Sequence, residues 1–364
     1  MSLIHKIALT YIDSVGHVNA RHLLIHFGSP EAVFNATKGD LIHIPGIGTK
    51  TAEQILNSNA LKMAEEQLKF IKKHDIQVLF YTDEGYPRRL RECYDAPILL
   101  YYKGNADLNH PRIISVVGTR KATSYGRLLC KQLAETLQPY NVLVVSGLAY
   151  GIDVAVHQEC LQSNIATVGV LGHGLDRLYP HVHKSIAQKM VRNGGLLTEF
   201  PVDTNPDKEN FPKRNRIIAG IADATIVVEA AIKGGALITA EIANSYDRDV
   251  YAFPGRATDE SSQGCNFLIK TNRAGLINHA KDLVYYLGWK EIKIQQQPQV
   301  TLPLGLSKEE ASVVEMLTLA PALIDQISTC THIPQSKLAI HLLNLEMQGI
   351  LVALPGKMYK LSSW

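Results

Sequence analysis

Residues Phe211–Glu241 read FPKRNRIIAGIADATIVVEAAIKGGALITAE, and the order of residue types in this stretch sets the architecture of the chain. Ile217, Ile218 and Ile221 recur at helical spacing, so the stretch opens with a helix that has one apolar face. Lys213, Arg214 and Arg216 crowd its first turn. A helix N-terminus already carries about half a positive charge, so cations placed there call for an anion to meet them. Ala224 to Glu229 (ATIVVE) is β-branched without alternation, the pattern of a strand covered on both faces. Lys233, Gly234 and Gly235 follow at its carboxyl end, with Thr239 and Glu241 on the next helix. Open parallel sheets bind ligands beyond the carboxyl ends of their strands. This stretch therefore places backbone N–H groups and guanidinium groups where such folds act.

Working outward, short apolar runs at Ile113–Val117, Val142–Val145, Ala166–Leu171, Leu196–Thr198, Thr225–Val228 and Val250–Phe253 alternate with amphipathic helices. That alternation predicts an α/β fold, a Rossmann-like, mostly parallel sheet. Before it, residues 1–77 read as a small helical domain and 78–288 as the core, beginning with a connecting segment that holds one strand near Leu99–Tyr102. The motif Leu41–Leu56 (LIHIPGIGTKTAEQIL), with its Pro45-Gly46-Ile47-Gly48 turn and Lys50, resembles a helix-hairpin-helix, which either grips a DNA phosphate or only packs. Residues 289–304 are a Gln/Pro-rich linker. Residues 305–364 give three helical patterns and a hairpin, a winged helix. That domain carries Lys308, Lys337, Lys357 and Lys360 against Glu309, Glu310, Glu315, Asp325 and Glu346. Lacking a cationic footprint, it is expected to contact protein or to bind DNA weakly.

Composition narrows the function classes. The chain has 364 residues, a formal charge of +3, and five cysteines (Cys93, Cys130, Cys160, Cys265, Cys330) scattered singly. That suits a reducing cytosol, and neither a disulfide framework nor a zinc site is expected. No apolar run is long enough for a membrane span and the first residues lack a signal-peptide core, so a cytoplasmic location is expected.

Three loops at strand ends carry the candidate chemistry. In VVGTRKATSYG, Gly118, Thr119 and Arg120 follow a strand, and Ser124 is read as the cap of the helix that begins near Tyr125. An arginine beside a glycine suits a phosphate held by fork and backbone, unless it pairs with Glu199 or Glu229. The loop lacks the GxGxxG pattern, which argues against a dinucleotide cofactor. In VVSGLAYGID, Ser146 and Gly147 end a strand. With Val144 where a nucleophile elbow needs glycine, Ser146 reads as a donor to phosphate, Asp153 as a helix-start residue and His157 as packing. His173, His181 and His183 lack a partner at ligand spacing and read as structural. The third loop is the opening stretch. Together with Phe211 and Tyr125 as stacking faces, these loops describe a groove for single-stranded nucleic acid without base-edge readers.

The runs GTRKATSYG, SGLAYGID, GLLTEFP, FPKRNRIIAG, ADATIVVEA, KGGALITA and YAFPG, in this order, resemble the DNA-processing protein A (DprA/Smf) family. The resemblance implies a homodimeric protein of natural transformation that binds incoming single-stranded DNA and helps to load the RecA recombinase, with no catalysis and no cofactor. It assigns the DNA groove to Gly118, Thr119, Arg120, Ser146, Gly147, Phe211, Lys213, Arg214, Asn215, Arg216, Lys233, Gly234 and Gly235. It places the dimer contact in GCNFLIKTNRAGLI, at Ile269 and Leu276. Ala236 stands where the family often has a hydroxyl, so that loop would rely on backbone N–H groups. GGALITAE is also similar to the loop of the LOG-type nucleotide phosphoribohydrolases, with Glu241 in the catalytic position but Leu237-Ile238 where Gly-Thr is needed. That enzyme, or a nucleotide-sensing module, is the alternative reading.

Overall fold

A computed structural model describes residues 2–291, 306–317 and 321–361. The chain divides into two bodies, 1–292 and 293–364. The linker read at 289–304 falls, from 292 onward, outside the described residues.

The first body is built on nine strands: β1 Gln77–Phe80, β2 Leu99–Gly104, β3 Ile113–Val117, β4 Leu143–Ser146, β5 Thr167–Val170, β6 Gly194–Thr198, β7 Ala224–Val227, β8 Asp249–Ala252 and β9 Gly275–Leu276. Their spatial order is β1-β2-β6-β5-β4-β3-β7-β8-β9. The β1–β2 and β2–β6 pairs are antiparallel and all others parallel. The mostly parallel α/β core is therefore as expected, and β1 and β9 extend it beyond the strands read from sequence. The chain winds outward from β3 through β4 and β5 to β6, then returns to lay β7 on the other side of β3. The loops after β3 and β7 thus diverge, and the crevice between them is the topological switch point at which open α/β sheets bind ligands.

Successive side chains on a strand point to opposite faces, and β3 obeys this. Ile113 and Val117 pack with Ile217, Ile218 and Leu237 beneath the helices Asn210–Gly220 and Gly235–Ser245. Ile114 and Val116 pack with Leu129, Leu133 and Val156 beneath Ser124–Leu137 and Ile152–Gln162. Every residue of β7 is buried, as a strand without alternation requires. Ser115 and Thr225 share a hydrogen bond of 2.8 Å across β3 and β7, which satisfies both hydroxyls in the core.

The N-terminal helices do not stand apart. Ile7, Leu23, Leu41, Ile55 and Ile71 share one apolar cluster with Phe80, Ile98, Leu99 and Tyr101 of the β1–β2 region. In the second body, helices Lys308–Leu317, Ile324–Thr331 and Gln335–Met347 precede the hairpin β11 Leu351–Leu354 and β12 Met358–Leu361. The two-residue strand β10, Ala322–Leu323, joins β12 on its other side. This is the winged helix, closed around Val313, Leu317, Leu338, Leu342 and Leu361.

Candidate nucleic-acid interface

The β3, β4 and β7 loops, together with the first turn of Asn210–Gly220, enclose a cleft of about 700 Å³. Gly118, Thr119, Arg120, Phe211, Arg214 and Asn215 line it, with Gly234 and Gly235 completing the wall. Among the lining residues that sequence reasoning did not single out are the polar or aromatic Lys121, Lys208 and Tyr179. Lys121 was visible beside Arg120, whereas Lys208 and Tyr179 lie in polar loops without periodicity. Asp153 is the one carboxylate among the described lining residues, and it is buried. The cleft is therefore cationic although the whole chain is nearly neutral.

Each loop has a local reason for its shape. Thr119 donates its N–H to the Glu229 carbonyl at 2.7 Å and accepts from Ile152 N–H at 3.1 Å, tying the β3 loop to the β7 loop and to the next helix. Its backbone is thus committed, and its hydroxyl, already accepting from Lys121 N–H at 3.1 Å, is what it offers the cleft. Ser124 is not the helix cap. Thr123 takes that role, accepting from Gly126 N–H at 3.2 Å, while the Glu229 carboxylate accepts from both Thr123 N–H and its hydroxyl. Glu229 is thereby engaged elsewhere. Arg120 makes no ion pair among the described residues and lies over the Phe211 ring, 5.4 Å from its centroid. Tyr179 tilts against the same ring at 6.2 Å. Gly235 is exposed with open space at its Cα. It begins a helix whose first N–H groups lack intrahelical acceptors, apart from Leu237 N–H, which Gly234 O already takes at 3.1 Å.

Several residues read from sequence as DNA contacts lie outside the main cleft. Ser146 is fully buried, and its hydroxyl donates to Val116 O at 2.6 Å across the sheet, so it is no phosphate donor. Gly147 is also buried, and a Cβ there would overlap the Arg214 guanidinium and the Asp153 carboxylate. Its role is to make room. Arg216 is buried away from the cleft, bonded to the Glu199 carboxylate and the Asp95 carbonyl. Glu199 also meets His17 Nε2 at 2.8 Å. The anion that its helix position calls for is thus supplied by the protein itself. Tyr125 is exposed but lines a neighbouring cleft with Ser124 rather than the main one. Lys213 and Lys233 are exposed near the cleft without lining it.

Arg214 is the buried cation of the site. Its Nη1 donates to Val170 O at 2.6 Å, and its Nε finds no acceptor among the described residues. Burial pushes the Asp153 carboxyl above its ordinary range, opposed by the Arg214 charge, and the same burial pulls the guanidinium down. His157 sits beneath them, its ring nitrogens 2.6 Å from Thr167 Oγ1 and from Gly147 O. Burial lowers its pKa to about 4, so it is neutral and packs. His173 and His183 are likewise buried on backbone carbonyls, and the described residues hold no metal cluster. Glu241 is exposed, pairs with Arg273 at 2.7 Å and does not line the cleft. Leu276 is exposed on the edge strand β9, and Ile269 is half-buried against the core. In the N-terminal helices Gly46 and Gly48 are exposed while Ile47 between them is buried, with His22 Nδ1 3.3 Å from Pro45 O.

Comparisons with known proteins match all three regions of the chain. The family model described as DNA recombination-mediator protein A matches residues 77–288. A SAM-like helix-hairpin-helix tandem matches 7–58 and a DprA winged helix domain matches 297–357. Protein Smf of Synechocystis is 32% identical, with 97% of each chain covered. The X-ray structure of DNA processing protein A from Streptococcus pneumoniae superposes with a TM-score of 0.66 at 31% identity, covering 78% of this chain and 98% of that one. A structure of DNA processing protein A from Helicobacter pylori, described for its single-stranded DNA binding mode, gives a TM-score of 0.53 at 28% identity, covering 58% and 95%.

Proposed function

Because this chain belongs to the DNA recombination-mediator protein A family, we propose that it binds single-stranded DNA in the switch-point cleft. The observation that carries the reading is the gathering of Arg120, Lys121, Lys208 and Arg214 around one cleft whose single described carboxylate is buried. Arg120 and the two lysines take phosphates, and Arg214 braces the wall behind them. Phe211, clamped beneath Arg120, offers a stacking face that tolerates any base. The exposed start of the Gly235–Ser245 helix adds backbone donors. A duplex keeps its bases paired inside and gives Phe211 nothing to stack on, so the site favours a single strand. The single-stranded DNA named for the Helicobacter pylori protein supports the assignment.

The same reading makes the chain a homodimer through the β9 edge near Ile269 and Leu276. It hands the bound strand to the RecA recombinase during natural transformation and turns nothing over. The hydrolase alternative loses its acid, since Glu241 is committed to Arg273 outside the cleft.

The test is fluorescence anisotropy of labelled oligo-dT across a salt series, with duplex of equal length as competitor. Expected is binding that weakens steeply with salt, resists duplex, and drops about tenfold or more in Arg120→Ala. Equal affinity of Arg120→Ala and wild type would overturn the assignment.

A further inference from the structure

A second cleft, of about 1230 Å³, opens on the far side of the β3 loop, and Thr119, Lys121 and Ala231 line both clefts. Tyr125 forms part of its wall and is 44% exposed. The Tyr125 hydroxyl donates to Pro254 O at 3.3 Å, which anchors one end of the ring on the cleft border. Charge on this side is net acidic. Lys121 and Arg256 stand against Asp259, Glu260 and the buried Glu229, whose carboxylate is already bonded to Thr123. A phosphate crossing over would gain from the cations and lose to the carboxylates. On the ridge itself Arg120 and Lys121 stand side by side, both exposed. The strand's charged backbone is therefore held by the ridge and the main cleft, and its uncharged part suits the net-acidic, hydroxyl-lined space beyond.

We propose that this second cleft is a nucleobase subsite. It receives a base from the same strand whose phosphates lie on Arg120 and Lys121, stacked on Tyr125. The inference rests on the single-strand reading of the main cleft and adds a position to it.

The experiment is a double-mutant cycle between protein and strand, which isolates a pairwise contact. Affinities are measured for the shortest saturating oligo-dT and for versions carrying one abasic residue at each position in turn. Wild type is compared with Tyr125→Ala, with Tyr125→Phe as the control that keeps the ring, and circular dichroism checks each fold. Expected is a loss of about tenfold at one abasic position in wild type, a similar loss for Tyr125→Ala on the intact strand, and no further loss when the two are combined. Tyr125→Phe, which keeps the ring, gives the same abasic profile and loses less affinity than Tyr125→Ala. Oligo-dT binding that Arg120→Ala weakens, with Tyr125→Ala equal to wild type or additive at every abasic position, overturns the subsite and leaves the main cleft standing. No binding of oligo-dT by wild type removes both.

Discussion

Gly147 shows how closely the candidate site is fitted. It lies between the Arg214 guanidinium and the Asp153 carboxylate, and its carbonyl accepts from the neutral His157 ring. Gly147→Ala is expected to cost about 1–3 kcal/mol of stability, the range for overpacking a filled interior, read as a lower urea midpoint. It also weakens strand binding by pushing Arg214 out of place. His157 adds a pH dependence whose sign follows from its burial. Its native pKa is about 4, while an unfolded histidine titrates near ~6.5. Between these values only the unfolded chain takes up the proton, so this contribution is complete above about pH 6.5 and is lost as pH falls toward 4. At most about 3 kcal/mol is at stake. Chemical unfolding at about pH 7 and 4.5 is expected to show a smaller stability loss in His157→Gln than in wild type.

At the scale of the element, the helix Asn210–Gly220 assigns two arginines to two jobs. Residues two apart on a helix sit roughly 200° apart around it, so when Arg214 faces the cleft Arg216 must face away, toward Glu199 and the N-terminal helices. Glu199→Ala leaves Arg216 buried without its carboxylate, and breaking such a pair costs about 3–5 kcal/mol. Denaturant unfolding should register that loss, while the salt slope of strand binding, measured on folded protein, stays unchanged. A shallower slope in Arg216→Ala would place Arg216 on the DNA. The helix, its charge and the strand after it were legible because periodicity and β-branching are local properties. The split between Arg214 and Arg216 was legible in principle from spacing alone. The burial of Ser146 was not, because it depends on β4 being flanked by β3 and β5 with helices on both faces, which no local pattern encodes. The cap at Thr123 in place of Ser124 turned on a partner, Glu229, more than a hundred residues away. Strand β9 is two residues long and too short to leave a pattern.

At the scale of the whole molecule, the helical N-terminal region is part of the folded body. The family model begins at residue 77, which invites truncation there. Yet Phe80, Ile98, Leu99 and Tyr101 are buried against helices before that point. A chain starting at 77 is expected to expose that surface, bind a hydrophobic dye and self-associate, measured by dye fluorescence and light scattering. A monodisperse truncated chain with a sharp thermal transition would count against the shared core. Salt dependence also belongs at this scale. With a formal charge of only +3, long-range attraction for DNA must come from the cleft rather than the chain as a whole. The difference in depth between Arg120 and Arg214 then separates arrival from departure. Arg120 projects into water, where its field draws in an approaching strand and ionic strength screens it. Arg214 is held at Val170 O with its rotamer already fixed, invisible at a distance and felt after contact. Stopped-flow mixing should therefore find a slower association rate in Arg120→Ala and a shorter residence time in Arg214→Ala.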